Sequence, residues 1–272
     1  MSRRFRFLLV LAMLIAATVV ACLRPGQSGV SLASVRQLWS DTLRDVDQPG
    51  LRLTRLSASE EMQLGADLLR TMPWTEDPVA AARLVRVSQP MLLHVHRGNI
   101  TYQFHVVHAS MINAFALPGG QILVTDTLLG FVQSDSELAE VLGHEMAHVD
   151  LRHAVEHYQY QYRLGSLVEL LHRLATMPYS ADQELDADAE GLRLAIAAGY
   201  DPAAAPALFE RMQRQFHEPA SPHATTPAGE LAHSLGDALG SYFRSHPPSE
   251  ERARRLRELA DGARKRQAGR KP

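Results

Sequence analysis

Two histidines four residues apart, His144 and His148, lie in a stretch whose apolar residues Leu138, Val141, Leu142, Met146 and Val149 recur at helical spacing. That stretch constrains the chain more than any other. Ser134 and Glu137 ahead of it match an S-x-x-E capping box, so the pattern predicts a long, buried helix beginning at Ser134. Residues four apart project from one face of a helix, one turn above the other, and two imidazoles so placed can converge on one metal ion. Glu145 points about 100° round the helix from His144 and reaches a water on the metal rather than the metal itself. Bound zinc lowers the pKa of that water to about 7, and a glutamate beside it can take the proton as hydroxide attacks a polarised carbonyl. Two ligands do not complete such a site. A catalytic zinc needs a third protein ligand and an open fourth position.

The third ligand is sought on the next helix, expected from about Ala181 to Ala198 and ended by Gly199. Within QELDADAEG, Glu184 and Asp188 share a face, while Asp186 points elsewhere. Glu184 is the candidate ligand, and Asp188 is placed to accept a hydrogen bond from a ligating histidine and so fix its tautomer. Taken alone, the same carboxylates describe a solvated helix face equally well.

The rest of the chain reads as helices around a small sheet, a mainly α (α+β) fold. Helices are expected from about Ser59, over Pro78 to Gln89, from Pro202 to about Phe216, and after Pro248. Between them, Leu93–His96 and Ile100–His108 alternate like paired strands about an Arg97-Gly98-Asn99 turn. Their histidines, His94, His96, His105 and His108, lack the ligand spacing and read as solvent-facing or structural. A second hairpin is expected where Pro118-Gly119-Gly120 separates two apolar segments, beside the HEMAH helix. Residues 217–241 read as a loop, and the basic tail 261–272 as disordered. The domain boundaries that follow are 1–21, 22–57, 58–260 and 261–272.

The first of these segments carries a positive start, MSRRFRF, and the apolar run LLVLAMLIAATVVA, the pattern of an export signal. Val19-Val20-Ala21-Cys22 resembles a bacterial lipobox, in which cleavage before the cysteine leaves a thiol for lipid attachment. Cys22 is the only cysteine, so an intramolecular disulfide is excluded and lipidation is its evident role. Leu23 lacks the aspartate that retains lipoproteins at the inner membrane, which favours the outer one in a two-membrane bacterium. An uncleaved anchor or a soluble periplasmic protein are the alternatives, and all three put the domain on the periplasmic side of the cell envelope. Loss of Arg3, Arg4 and Arg6 with the leader leaves 25 basic against 30 acidic side chains, which argues against nucleic acid as a partner.

HEMAH, the following ELDAD, the preceding NAFALPGG and the later SHPPSEER occur in the order found in the HtpX-like and CAAX-prenyl-protease-like gluzincin metallopeptidases, peptidase family M48, which this sequence resembles over roughly residues 58–260. The likeness is to the periplasmic and mitochondrial soluble-domain branch. It implies one zinc ion per chain held by His144, His148 and Glu184, with Glu145 as base and Asp188 behind a ligand. In that family the strand after an asparagine such as Asn113 lies along the cleft, so Asn113, Ala114, Phe115, Ala116 and Leu117 are the expected substrate-docking residues, pairing with extended or unfolded polypeptide. His246 of the S-H-P-P segment is expected to stabilise the oxyanion, or to fill the fourth metal position as a self-inhibiting ligand, or to be an ordinary helix-start residue. Arg252 of the same segment is a further candidate to assist. Two functions fit: an endopeptidase that clears misfolded or misassembled envelope proteins, and a chaperone or assembly factor for outer-membrane proteins, working with envelope assembly machinery, whose zinc site is regulatory.

Overall fold

A computed structural model describes residues 55–70, 74–75, 77–110, 112–156, 179–216, 246 and 250–269. The expected leader, Cys22, most of the tether at 22–57 and the loop at 217–241 lie outside the described residues.

Helix α1 (Ala58–Leu69) starts at Ser57, whose hydroxyl accepts from the Glu60 amide while the Glu60 carboxylate accepts from the Ser57 amide, a reciprocal capping box. After the short strand β1 (Trp74–Thr75) comes α2 (Pro78–Leu92), capped by Asp77 and opened by Pro78 at its first position. Here the sequence expectation fails. Leu93–His96 form no strand, and α2 runs on through Pro90 to Leu92, because Leu84, Val87 and Met91 keep one buried stripe at helical spacing. The alternation Leu-His-Val-His is the C-cap of a helix followed by a turn, in which the His94 amide donates to Met91 O and Val95 packs against the core.

Strand β2 (Gln103–Val107) therefore pairs elsewhere. The sheet has the order β1-β2-β4-β3, with β2 antiparallel to β1 and parallel to β4 (Gln121–Thr125). Strand β3 (Ala114–Leu117) is antiparallel to β4 and stands at the sheet edge, with Ala116 opposite Ile122 and Leu117 opposite Gln121. The expected hairpin turn is a single 3-10 turn, Pro118–Gly120, in which Gly119 and Gly120 take φ of 71° and 84°, a region that β-carbons disfavour. A short helix α3 (Asp126–Phe131) then leads into α4 (Asp135–Asp150).

The centre of the molecule is α4, buried from Glu137 to Asp150. Met91 of α2, Ile122 and Val124 of β4, Leu194 of α5 (Ala181–Ala197) and Leu208 and Met212 of α6 (Ala204–Phe216) share one core with its Leu138, Leu142 and Met146. Each such side chain contributes about 1.5–3 kcal/mol by burial. Ser134 caps α4 through the Glu137 amide at 3.1 Å, but the reverse half of the expected box is absent. The Glu137 carboxylate instead accepts from the Gln133 amide at 2.7 Å and from the Arg211 guanidinium of α6.

Helices α4 and α5 meet at two glycines. A β-carbon on Gly143 would lie 2.6 Å from Gly191 O, and one on Gly191 would lie 2.6 Å from His144 N. Only the absence of both lets the backbones touch, and the touch sets the acidic face of α5 directly opposite the histidines. The C-terminal helix α7 (Glu250–Ala268) corrects the other sequence expectation, a disordered tail from residue 261. Ala253, Leu256, Ala260 and Ala263 form a buried stripe on it, and Arg264, Lys265, Arg266 and Gln267, which follow the stripe, are strong helix formers, so the helix continues where composition alone suggested none. Among the described residues, no helix is long and apolar enough to cross a membrane.

Candidate metal centre and active site

One turn of α4 presents His144 Nε2 and His148 Nε2 to each other at 3.1 Å. The Glu184 carboxylate arrives from α5, with Oε2 3.5 Å from His144 Nε2 and Oε1 3.4 Å from His148 Nε2. Atoms bonded tetrahedrally to an ion at about 2.0–2.1 Å lie roughly 3.3–3.4 Å apart, and the observed separations bracket that edge. Two imidazoles and a carboxylate, all buried, are a fitting donor set for a four-coordinate divalent ion. His246 completes the group: its Nδ1 lies 3.1 Å from His144 Nε2 and 3.0 Å from Glu184 Oε1, and it has no solvent exposure. The expected ligands thus come together, and the histidine 102 positions downstream in the chain joins them.

Asp188 stands where helical spacing put it, with Oδ1 3.0 Å from His144 Nδ1, on the far side of the ring from the cluster. Arg252 of α7 grips Asp188 and reaches Glu184 Oε2 at 2.6 Å and the backbone carbonyl of His246 at 3.2 Å. This is a larger part than the sequence suggested. Burial alone would make His144 less basic, but the Asp188 and Glu184 carboxylates outweigh it and push its pKa up to about 10. His148 goes the other way, well below the usual histidine range, because burial and the neighbouring His144 and His246 exceed the pull of Glu184. Burial would raise the Glu184 pKa, yet Arg252 and the histidines around it hold the carboxyl well below the ordinary range. The Glu184 carboxylate is thereby kept ionised between the two histidines.

Glu145 is fully buried on the next face of α4, and burial is the main cause that raises its pKa. Its Oε1 is 3.4 Å from His246 Nε2, and the backbone amide of Ala116 in β3 works in the opposite sense, lowering the pKa. The edge strand therefore runs past the candidate base. Ala114, Ala116 and Leu117 are buried and Phe115 is half-buried. Asn113 anchors the start of β3 on Thr125: its amide donates to Thr125 Oγ1 at 3.1 Å and its carbonyl accepts from the Thr125 amide at 3.0 Å.

Two residues at the site escaped the sequence reading. His153 places Nδ1 3.1 Å from His148 Nδ1, and Tyr179 stacks on the His148 ring with centroids 3.7 Å apart and planes 16° from parallel. A ring nitrogen engaged by His153 leaves Nε2 of His148 aimed at the cluster. His153 reaches it because Arg152 turns the chain at φ 70°, a left-handed position no glycine announces. The remaining sequence-noted histidines stay away from the cluster. His105 meets Gln121, His108 meets Asp126, and His96 lies beside Asp150 and Glu190. That last group is satisfied without an ion, since Arg193 holds both oxygens of Glu190 and Asp150 accepts the His96 and Arg97 amides.

A family model described as peptidase family M48 matches residues 78–172 and 162–260. The mitochondrial metalloendopeptidase OMA1 of Arabidopsis thaliana is 30% identical over 265 residues, covering 89% of this chain and 50% of its own. The beta-barrel assembly-enhancing protease of Escherichia coli (strain K12) is 25% identical over 228 residues, 73% of this chain and 46% of its own. The mitochondrial metalloendopeptidase OMA1 of Schizosaccharomyces pombe is 29% identical over 176 residues, 59% and 47%. The chain spans about half the length of these relatives.

Proposed function

The chain belongs to peptidase family M48, and on that premise we propose that it is a zinc-dependent endopeptidase acting on misfolded or misassembled cell-envelope proteins. The observation that carries this is the convergence of His144, His148 and Glu184 beside the buried carboxylate of Glu145. The N and O donor set suits zinc. When bound, zinc supplies a water acidic enough to yield hydroxide near neutral pH and a charge that polarises the scissile carbonyl.

The chain's own residues do the rest. Glu145 accepts the proton of the attacking water and returns it to the leaving amine, a task suited to a carboxylate whose proton affinity is raised by burial. Asp188 orients His144, and His153 with Tyr179 orients His148. In this reading β3 receives the substrate. Among the described residues it pairs with β4 on one side only, so an extended chain can add to its other edge through main-chain hydrogen bonds, with little demand on side-chain sequence. Asn113 to Ala116 are the docking residues.

His246 is read as a resting-state plug in the fourth metal position. Support comes from its Nδ1, which closes on the same point as the other three ligands while the side chain is wholly buried. The envelope assignment rests on the leader and lipobox pattern at Cys22, which favours an outer-membrane lipoprotein facing the periplasm, and on the likeness to a relative named beta-barrel assembly-enhancing protease. That relative also keeps the chaperone or assembly role in view as a second activity of the same molecule.

The deciding experiment compares cleavage of casein and of an unfolded outer-membrane protein by the wild type and by Glu145→Gln. Loss of cleavage with metal content retained is expected. Equal fragments from both proteins would remove the protease reading, whereas suppression of aggregation by Glu145→Gln would support the assembly role.

A further inference from the structure

We infer that Glu61 of α1 is a positioning residue for the edge strand β3, tying the turn that ends this strand to the last turn of α4; the inference rests on the reading of β3 as the substrate-docking edge. Glu61 has no solvent exposure, and its carboxylate is held by the fork of Arg97, Nη1 to Oε1 at 3.0 Å and Nη2 to Oε2 at 2.6 Å. Arg152 adds a third contact at 3.5 Å. The same carboxylate accepts from the Gly119 amide at 3.4 Å, in the turn that begins one residue after Leu117 of β3. Arg97 meanwhile donates to Val149 O at 2.8 Å, at the C-terminal end of α4. One buried carboxylate thus joins three elements: its own helix, the turn of the docking hairpin, and the helix that carries the candidate base.

The packing around it admits little slack. A β-carbon on Gly65, one turn along α1 from Glu61, would lie 1.9 Å from Pro118 O, and one on Gly119 would lie 2.4 Å from the Met62 Cα. The helix and the turn meet backbone to backbone, so the height of α1 sets the height of β3 above Glu145. Among the described residues, the side-chain hydrogen bonds of Glu61 and Arg97 join α1, the turn and the end of α4, and none goes to a metal-binding side chain. A role in holding geometry also accounts for the chemistry chosen. Burying a carboxylate with guanidinium groups carries a desolvation cost that apolar side chains of similar size avoid, so bulk stability alone does not call for charges here.

The test uses the full, zinc-loaded chain carrying Glu61→Gln, and a second variant, Glu61→Met with Arg97→Met, that removes both charges and so keeps the fold if the single change does not. Three quantities are read: bound zinc, amide hydrogen exchange across residues 114–120, and KM and kcat on denatured casein. The expected result is one zinc per chain in both, exchange about tenfold faster in β3 and its turn, and KM raised about tenfold with kcat within about twofold. A folded double variant with wild-type exchange and KM overturns the inference. So does loss of zinc with a fallen kcat at unchanged KM, which would make the cluster a support of the metal instead. If the wild type shows no zinc-dependent cleavage, the proposed function fails by itself, and the exchange measurement then decides whether Glu61 fixes β3.

Discussion

Arg252 holds Asp188 by both carboxylate oxygens, Nε to Oδ2 at 2.7 Å and Nη2 to Oδ1 at 2.8 Å. Both side chains are buried, and the remaining arm of the guanidinium goes to Glu184. A planar fork can serve two carboxylates and a carbonyl at once; an ammonium cannot. Helix α7 is in this way part of the candidate metal centre, although no residue of it faces the cluster as a ligand.

Arg252→Ala should therefore destabilise the chain by about 3–5 kcal/mol, the cost of leaving buried carboxylates without their partner. Zinc affinity should fall about 10–100-fold, because Asp188 no longer orients His144. Arg252→Lys should recover part of the stability and little of the affinity. Urea unfolding with and without zinc, together with chelator competition, separates the two effects.

Removing the metal should lower the melting temperature as well as abolish cleavage. An ion bound only by the folded state adds about 2.7 kcal/mol when present at a hundredfold excess over its Kd. Thermal unfolding before and after chelation checks this. A melting temperature indifferent to chelator, with no zinc found by elemental analysis, would count against the whole assignment.

His246→Ala opens the fourth position and should raise cleavage of an unfolded substrate several-fold, with metal retained by the other three ligands. The opposite outcome, a loss of activity at full metal content, would make His246 an oxyanion donor, the alternative consistent with its Nε2 lying 3.4 Å from Glu145. Initial rates on fluorescent casein at matched zinc content distinguish the two.

Acid should weaken the joint between α4 and α6. Burial would raise the Glu137 pKa, but the Arg211 guanidinium and the Gln133 amide outweigh it and lower the value. A carboxyl depressed in the folded state contributes stability that is present above its unfolded value of about 4.3 and fades as pH falls through the lower, folded value. Glu137→Gln should accordingly be less stable than wild type at pH 7, with the difference shrinking below about pH 4. Urea midpoints measured from pH 7 to pH 3 on both proteins test the sign.

How much of this was legible in the sequence depended on the range of each signal. HEMAH on a capped apolar helix, Glu184 and Asp188 one turn apart, and the Pro-Gly-Gly hairpin are local patterns, and each lies where spacing placed it. Leu93–His96 read as a strand because a short apolar-polar alternation also describes a helix end and the turn after it, and only the burial of Met91 decides between them. The helical tail at 261–268 escapes the sequence because its charges hide Ala263, the last residue of the buried stripe that begins at Ala253. His153, Tyr179 and Glu61 carried no signal at all. Their roles arise from a left-handed Arg152, from a stack on His148, and from a turn 58 residues away, none of which a linear pattern encodes.

The glycine contact between α4 and α5 fixes the spacing that the candidate centre offers an ion. Since no side chain separates Gly143 from Gly191, the distance between the two helices has no rotamer through which to relax, and Glu184 cannot retreat from the histidines by more than its own torsions allow. An ion such as calcium, which asks for six to eight oxygens at about 2.3–2.6 Å, would have to pry apart two backbones already in contact. Ions of the zinc and cobalt size need no such movement. In the proposed zinc reading, the spacing of the donor atoms is thus held by two missing methyl groups behind them.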